Sequence, residues 1–125
     1  MPSFDISNVD ELKKLVYNSY VHDAIIKCIK YEFDALNIKC FNYMFNTEYT
    51  LSFKQIKFKL EKKGDWGGSK ETIFSLTIED ISSLEKEIID CDLDLCNCIY
   101  VVIQMLSGDE LHIVASKISF EGRIL

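Results

Sequence analysis

Apolar residues recur at helical spacing near the start of the chain, where Val9, Leu12, Leu15 and Val16 fall on one face and Lys13, Lys14 and Asn18 on the other. Asn8 with Glu11 three residues later has capping-box spacing, so the pattern predicts an amphipathic helix over Asn8 to Tyr20. Such a stripe needs a second layer to cover it. From Ala24 the period falls to two. Ile25, Ile29, Tyr31 and Phe33 point one way and Lys30, Glu32 and Asp34 the other, then Leu36, Ile38 and Cys40 alternate with Asn37 and Lys39. Asp34-Ala35-Leu36-Asn37 reads as the tight turn of a hairpin. The apolar set is odd-numbered in the first strand and even-numbered in the second, so opposed positions must sum to an odd number. That register keeps Cys28 from facing Cys40 and assigns Cys40 to the core.

Further along, Tyr49, Leu51 and Phe53 alternate before the phase jumps to Ile56, Phe58 and Leu60, which predicts a bulge near Lys54-Gln55. A turn-rich stretch from Lys62 to Ser69 separates this strand from the next, whose buried set is Phe74, Leu76 and Ile78. Residues 80–94 fit two readings. Ile81, Leu84 and Ile88 suit a short helix, whereas Asp90, Asp92 and Asp94 alternating with Cys91, Leu93 and Leu95 suit an edge strand. Ile99 to Leu106 is apolar on both faces, as in a central strand covered by the helix on one side and by sheet on the other. Leu111, Ile113 and Ala115 alternate before a shift to Ile118 and Phe120, which predicts a second bulge near Ser116-Lys117. The elements add up to an α+β, mainly β domain over residues 1–125. Its N-terminal helix packs on a curved antiparallel sheet, sandwich or open barrel of six or seven strands.

Composition narrows the function classes. The chain has 125 residues, 48% of them hydrophobic and 27% charged, which suits one folded domain and excludes a disordered one. A net charge of -6 disfavours a nucleic-acid surface, because phosphate neutralisation needs a basic face. The longest apolar run, Cys96 to Leu106, is well short of the roughly 20 residues that span a bilayer. The start lacks the basic and apolar regions of a secretory signal, and five cysteines is an odd count. These features point to a cytoplasmic, soluble protein without structural disulfides.

Candidate chemistry is sparse. Cys91, Cys96 and Cys98, with His112 brought alongside by strand pairing, are the densest possible metal ligands, but Cys-x₄-Cys and Cys-x-Cys are not the knuckle spacings of structural zinc. His22-Asp23 invites a thiol-catalysis reading, yet on an extended chain adjacent side chains point to opposite faces, and no cysteine sits in a glycine-rich elbow. The plainer reading makes His22 and Asp23 a helix-to-strand junction. Asp90-x-Asp92-x-Asp94 fails as a calcium loop because Leu95 follows where Gly is needed. The glycine loop around Trp66 lacks the Gly-Lys-Ser/Thr ending of a phosphate cradle, so Trp66 is either a binding anchor or an aromatic folded back onto the sheet. Lysines at 54, 57, 59, 62, 63 and 70 read as a solvated strand face and its loop, while acidic residues dominate later. No cofactor is expected.

Tyr20-Val21-His22-Asp23-Ala24-Ile25-Ile26, followed by a strand, a turn and Leu36-Asn37-Ile38, resembles the opening of a loose group of small uncharacterised bacterial proteins with a Tyr/Phe-x-His-Asp-Ser-x-Ile signature. Leu111 to Phe120 is similar to their last strand, while Ala24 stands where Ser is usual. Some members of the group are proposed as toxin-immunity proteins, so the resemblance implies a compact antiparallel domain in a bacterial cytoplasm and no catalytic residues. With the acidic charge, this gives the expectation of a non-enzymatic domain that binds a basic protein, such as an immunity-type inhibitor of a basic toxin, through Asp90, Asp92, Asp94, Asp109, Glu110 and Trp66. The alternative is a small metal-binding or cysteine-dependent enzyme using Cys91, Cys96, Cys98 and His112.

Overall fold

The computed structural model describes residues 3–18, 21–84, 95 and 97–125. Its elements in chain order are β1 (Ser3–Phe4), α1 (Val9–Tyr17), β2 (Ile25–Tyr31), β3 (Leu36–Asn42), β4 (Thr47–Lys62), β5 (Ile73–Glu79), β6 (Ile99–Met105) and β7 (Glu110–Ile124). This is the expected mainly β architecture with one N-terminal helix. All strands pair antiparallel in one sheet of order β2-β3-β4-β7-β6-β5, and β1 pairs with the far half of β7.

The helix differs from its expected form at its start. A capping box is present, but one turn earlier: Asp5 caps the short 3₁₀ turn Ile6–Asn8, and the Asn8 side chain accepts from the Asp5 N–H at 2.8 Å. Asn8 is thereby used up as the box's reciprocal partner and gives α1 no side-chain cap. Leu12 and Val16 are buried and Val9 packs on the core, while Leu15 is exposed, so the stripe is narrower than the spacing suggests.

Strands β4 and β7 form the spine, paired from Thr47 with Ile124 to Lys62 with Glu110. The two predicted phase shifts are one structural event. Gln55 adopts a left-handed φ of 54°, the register slips between Ile56 and Phe58, and the Gln55 side chain meets Ser116 Oγ at 2.6 Å across the ladder. Beyond this point the strands turn the other set of side chains to each face. One face carries Leu51, Phe53, Ile113, Ala115, Ile118 and Phe120 in the main core with the helix residues. The opposite face carries a second cluster of Tyr100, Val114, Cys98 and Leu84, with Phe58 and Leu60 against it. This second cluster explains why β6 is apolar on both faces. β6 is an interior strand, paired with β7 on one side and with the edge strand β5 on the other.

The β2–β3 register has the expected odd sum from Cys28 with Lys39 to Tyr31 with Leu36, and a bulge between Ile26 and Cys28 changes it beyond. Cys40 is buried and Cys28 exposed. Ile29 and Tyr31 are exposed rather than core-facing, because β2 is an edge strand and its inner face meets no full layer, and Phe33 is exposed in the β2–β3 turn. Phe74 is likewise turned outward. A register slip between Ile73 and Ser75 puts it in a bulge, so Ile73, Leu76 and Ile78 form the buried set.

The sheet curls until its two edges touch at one corner. Ile25 bridges Thr72, the Asp23 N–H donates to the Ile73 carbonyl at 2.9 Å, Ile73 N–H to Ala24 at 2.8 Å and Ile26 N–H to Glu71 at 2.8 Å. Above this corner a seam separates β2 from the loop after β4. Below it, a groove separates β5 from the end of α1.

Candidate interaction site

The loop between β4 and β5 is held on the β6–β7 turn by main-chain bonds. Trp66 N–H donates to Ser107 at 2.9 Å, Ser107 N–H to Ser69 at 3.0 Å and Leu106 N–H to Thr72 at 2.9 Å. Its glycines serve this close approach. A Cβ at Gly64 would stand 2.2 Å from the Gly108 carbonyl carbon, and one at Gly68 2.4 Å from the Leu106 oxygen. Gly108 has a φ of +88° and lies against the indole of Trp66, where a Cβ would be 2.9 Å from Cγ. Trp66 is thus folded back in part: one face rests on Gly108, and the residue is 59% exposed.

Trp66 meets Phe74 edge-to-face, with ring centroids 6.0 Å apart. His22 meets the same Phe74 in a second T-shaped contact, also at 6.0 Å. The Phe74 bulge thus gathers two sequence-named residues, Trp66 and His22, that lie on separate connections. Sequence patterning missed Phe74 because it reads Phe74, Leu76 and Ile78 as one face. The groove beside them, about 500 Å³, is lined by Val16, Tyr17, Val21, His22, Phe74 and Leu76 among others. Tyr17 is half exposed, and its hydroxyl accepts from the Ile78 N–H of the edge strand at 3.0 Å.

His22 and Asp23 form the expected helix-to-strand junction, with one difference. Asp23 is left-handed, at a φ of 70°, rather than extended, so its carboxylate turns back to lie 3.7 Å from His22 Nε2. Asn42 donates to the His22 carbonyl at 3.4 Å and ties the junction to β3.

Of the expected acidic patch, Asp90, Asp92 and Asp94 lie outside the described residues. Asp109 and Glu110 are engaged within the fold. Asp109 accepts from the Gly64 N–H at 2.7 Å, and that bond, with Lys63 and Lys70 nearby, holds its carboxyl below the usual range. Glu110 pairs with His112 Nε2 at 2.7 Å.

On the second face, His112 Nδ1 meets the Tyr100 hydroxyl at 2.6 Å, giving a Tyr100–His112–Glu110 chain across β6 and β7 that is buried at Tyr100 and His112 and half-buried at Glu110. Only its Glu-x-His spacing could have flagged it, since the Tyr100 contact depends on strand register. Cys91 and Cys96 lie outside the described residues, and Cys98 is buried in the second cluster. Any metal taking His112 would have to displace Tyr100 or Glu110. Among the described residues no group of three or more potential ligands converges. Burial, helped by Glu48, pushes the Cys40 thiol up to about 12, which removes it as a nucleophile.

No helix among the described residues is long and apolar enough to cross a membrane. No family model matches the chain, and no curated protein matches it.

Proposed function

We propose that the protein is a non-enzymatic, acidic protein-binding domain that meets a basic partner at the corner where Trp66, Phe74 and His22 gather. The observation that carries this reading is the Trp66–Phe74 pair, two large aromatics exposed to solvent yet fixed by a backbone-docked loop and a bulge. Rigid aromatics bring large contact area at little entropic cost, which is why they dominate interface energetics. The charge of -6, to which Asp90, Asp92 and Asp94 contribute, supports a partner of opposite sign and fast, salt-dependent encounter. An immunity-type inhibitor of a basic toxin, the role proposed for some members of the group it resembles, fits this description.

The Tyr100–His112–Glu110 chain supports a non-catalytic reading, because the Tyr100 hydroxyl and the His112 ring are buried away from any substrate. The test compares wild type with Trp66→Ser/Phe74→Ser as immobilised bait. A basic partner held by wild type, released by salt and lost from the double variant, which still unfolds cooperatively although at a lower Tm, is the expected result. Equal recovery by both proteins overturns the reading, as does stoichiometric zinc or iron in the purified protein, which favours a metal site built on Cys91, Cys96, Cys98 and His112.

A further inference from the structure

We propose that the seam between the outer edge of β2 and the loop after β4 is a docking groove for the carboxyl terminus of an extended peptide whose last residue is apolar. It lies on the other side of the Ile25–Thr72 bridge from the aromatic groove and does not depend on it.

Three features of the seam converge. The first is an open strand edge. The Glu32 N–H donates to the Ala35 carbonyl at 2.9 Å to close the β2–β3 hairpin, and the register runs on through Lys30 with Asn37 and Cys28 with Lys39. By antiparallel alternation the main-chain groups of Ile29 and Tyr31 then point away from β3. Among the described residues the bonding on that outer side stops at Ile26, which donates to Glu71, so these groups are open to an added strand.

The second feature is an apolar floor. A cavity of about 300 Å³ lies along this edge, floored by Ile26, Ile29, Ile103, Met105 and Leu111. That is the low end of the usual range of about 300–1,000 Å³ for ligand pockets, enough for a chain end and not for a long segment. The Ile26–Glu71 bond shuts the seam at one end, so a strand laid along β2 must terminate there.

The third feature is the charge on the rim. Three carboxylates line it, and each has a partner: Glu61 accepts from the Tyr31 hydroxyl at 3.1 Å, Asp109 from Gly64 and Glu110 pairs with His112. Lys62, Lys63 and Lys70 also line it; among the described residues Lys63 and Lys70 make no salt bridge and act on Asp109 only at longer range. Two ammonium groups at the mouth of an apolar floor suit a carboxylate joined to an apolar side chain. The open edge of β2 selects a peptide over a fatty anion, because only a peptide returns main-chain hydrogen bonds.

The test uses the full chain and a fluorescein-labelled hexapeptide ending in Val-Ser-Val-Leu, read by anisotropy. Binding of the free acid is expected, with protection of the Ile29 and Tyr31 amides from hydrogen exchange. The C-terminal amide and the Lys63→Ala/Lys70→Ala variant should each bind about tenfold more weakly, the worth of a charge-assisted hydrogen bond. Lys63 and Lys70 are exposed, so the variant should keep its Tm. Equal binding of acid and amide overturns the proposal, as does absence of binding at millimolar peptide. Displacement of the peptide by octanoate without protection of the two amides assigns the seam to fatty anions and also overturns it.

Discussion

Three glycines of the Trp66 loop and its docking turn should respond differently to the same substitution, because a Cβ meets something different at each. At Gly67, φ is +80° and nothing lies within 4 Å, so Gly67→Ala carries only left-handed strain. That strain is about 1–2 kcal/mol, offset by about 0.4–1 kcal/mol of lost unfolded-state freedom, for a net of about 1 kcal/mol. Gly108→Ala has similar strain and also drives a methyl into the indole, 2.9 Å from Trp66 Cγ. A two-fifths-buried Trp side chain hides on the order of 100 Å², so lifting part of it brings the total to about 2–3 kcal/mol. Gly64→Ala sets a methyl 2.2 Å from main chain, which cannot rotate away. The loop must detach, losing the Gly64–Asp109 bond together with the Trp66–Ser107 and Ser107–Ser69 main-chain bonds, the latter two at about 1 kcal/mol each. The assay pairs thermal unfolding with the emission of Trp66, the one tryptophan in the chain. Gly67→Ala should leave emission unmoved, whereas Gly108→Ala should shift it red and lower Tm by roughly 8–12 °C. Unmoved emission in Gly108→Ala, with a Tm no lower than that of Gly67→Ala, would refute the claim that the indole is seated on this turn.

Further expectations follow from burial and hydrogen bonding. Leu12→Ala should cost about 2–5 kcal/mol in urea unfolding, since the side chain is buried in the main core; a change of a few tenths would show that α1 lies free. Tyr100→Phe should cost about 1–3 kcal/mol by leaving His112 Nδ1 without its buried partner, and a neutral result would make that contact incidental. Asp109 has a depressed folded pKa, so its contribution is present above the unfolded value near 4 and is lost as pH falls through the folded one. Asp109→Asn should therefore flatten the acid limb of a stability–pH curve, and an unaltered limb would count against the Gly64 bond. Native-state alkylation at pH 8, mapped by mass spectrometry, should label exposed Cys28 well ahead of buried Cys40 and Cys98. Labelling of Cys40 at the rate of Cys28 would contradict its burial.

Much of the fold is legible in the sequence because period and phase report directly on faces. The helix stripe, the odd-sum register of the β2–β3 hairpin next to its turn, the burial of Cys40 and the Gln55/Ser116 irregularity follow from counting apolar positions, whereas the bulge that gives Cys40 an even-sum partner does not. Alternation does not say whether a strand is inside or at an edge, so Ile29, Tyr31 and Phe33 read as core although β2 has a neighbour on one side for most of its length. Nor does it locate a bulge within a short strand, which is how Phe74 passes for a buried residue. Trp66 and His22 can be singled out one by one from the sequence. Their meeting on Phe74 depends on edge closure, which involves residues some fifty positions apart, such as Ile25 and Thr72.

The spine strand has a consequence for the order of events during synthesis. β7 pairs with β4 along one side, while its other side is shared by β6 over residues 110–115 and by β1 at Ile118 and Ser119. Its partners in β4 lie from 48 residues away, for Lys62 with Glu110, to 77, for Thr47 with Ile124. Until the ribosome has released β7, the long edge of β4 has no neighbour and β1 has no sheet to join. The β2–β3–β4 meander can form from local turns, but the rest must wait and then close large loops, which slows folding. A nascent chain stalled before residue 110 therefore exposes a sixteen-residue strand edge to any other chain nearby, and that interval is when this protein is most open to aggregation.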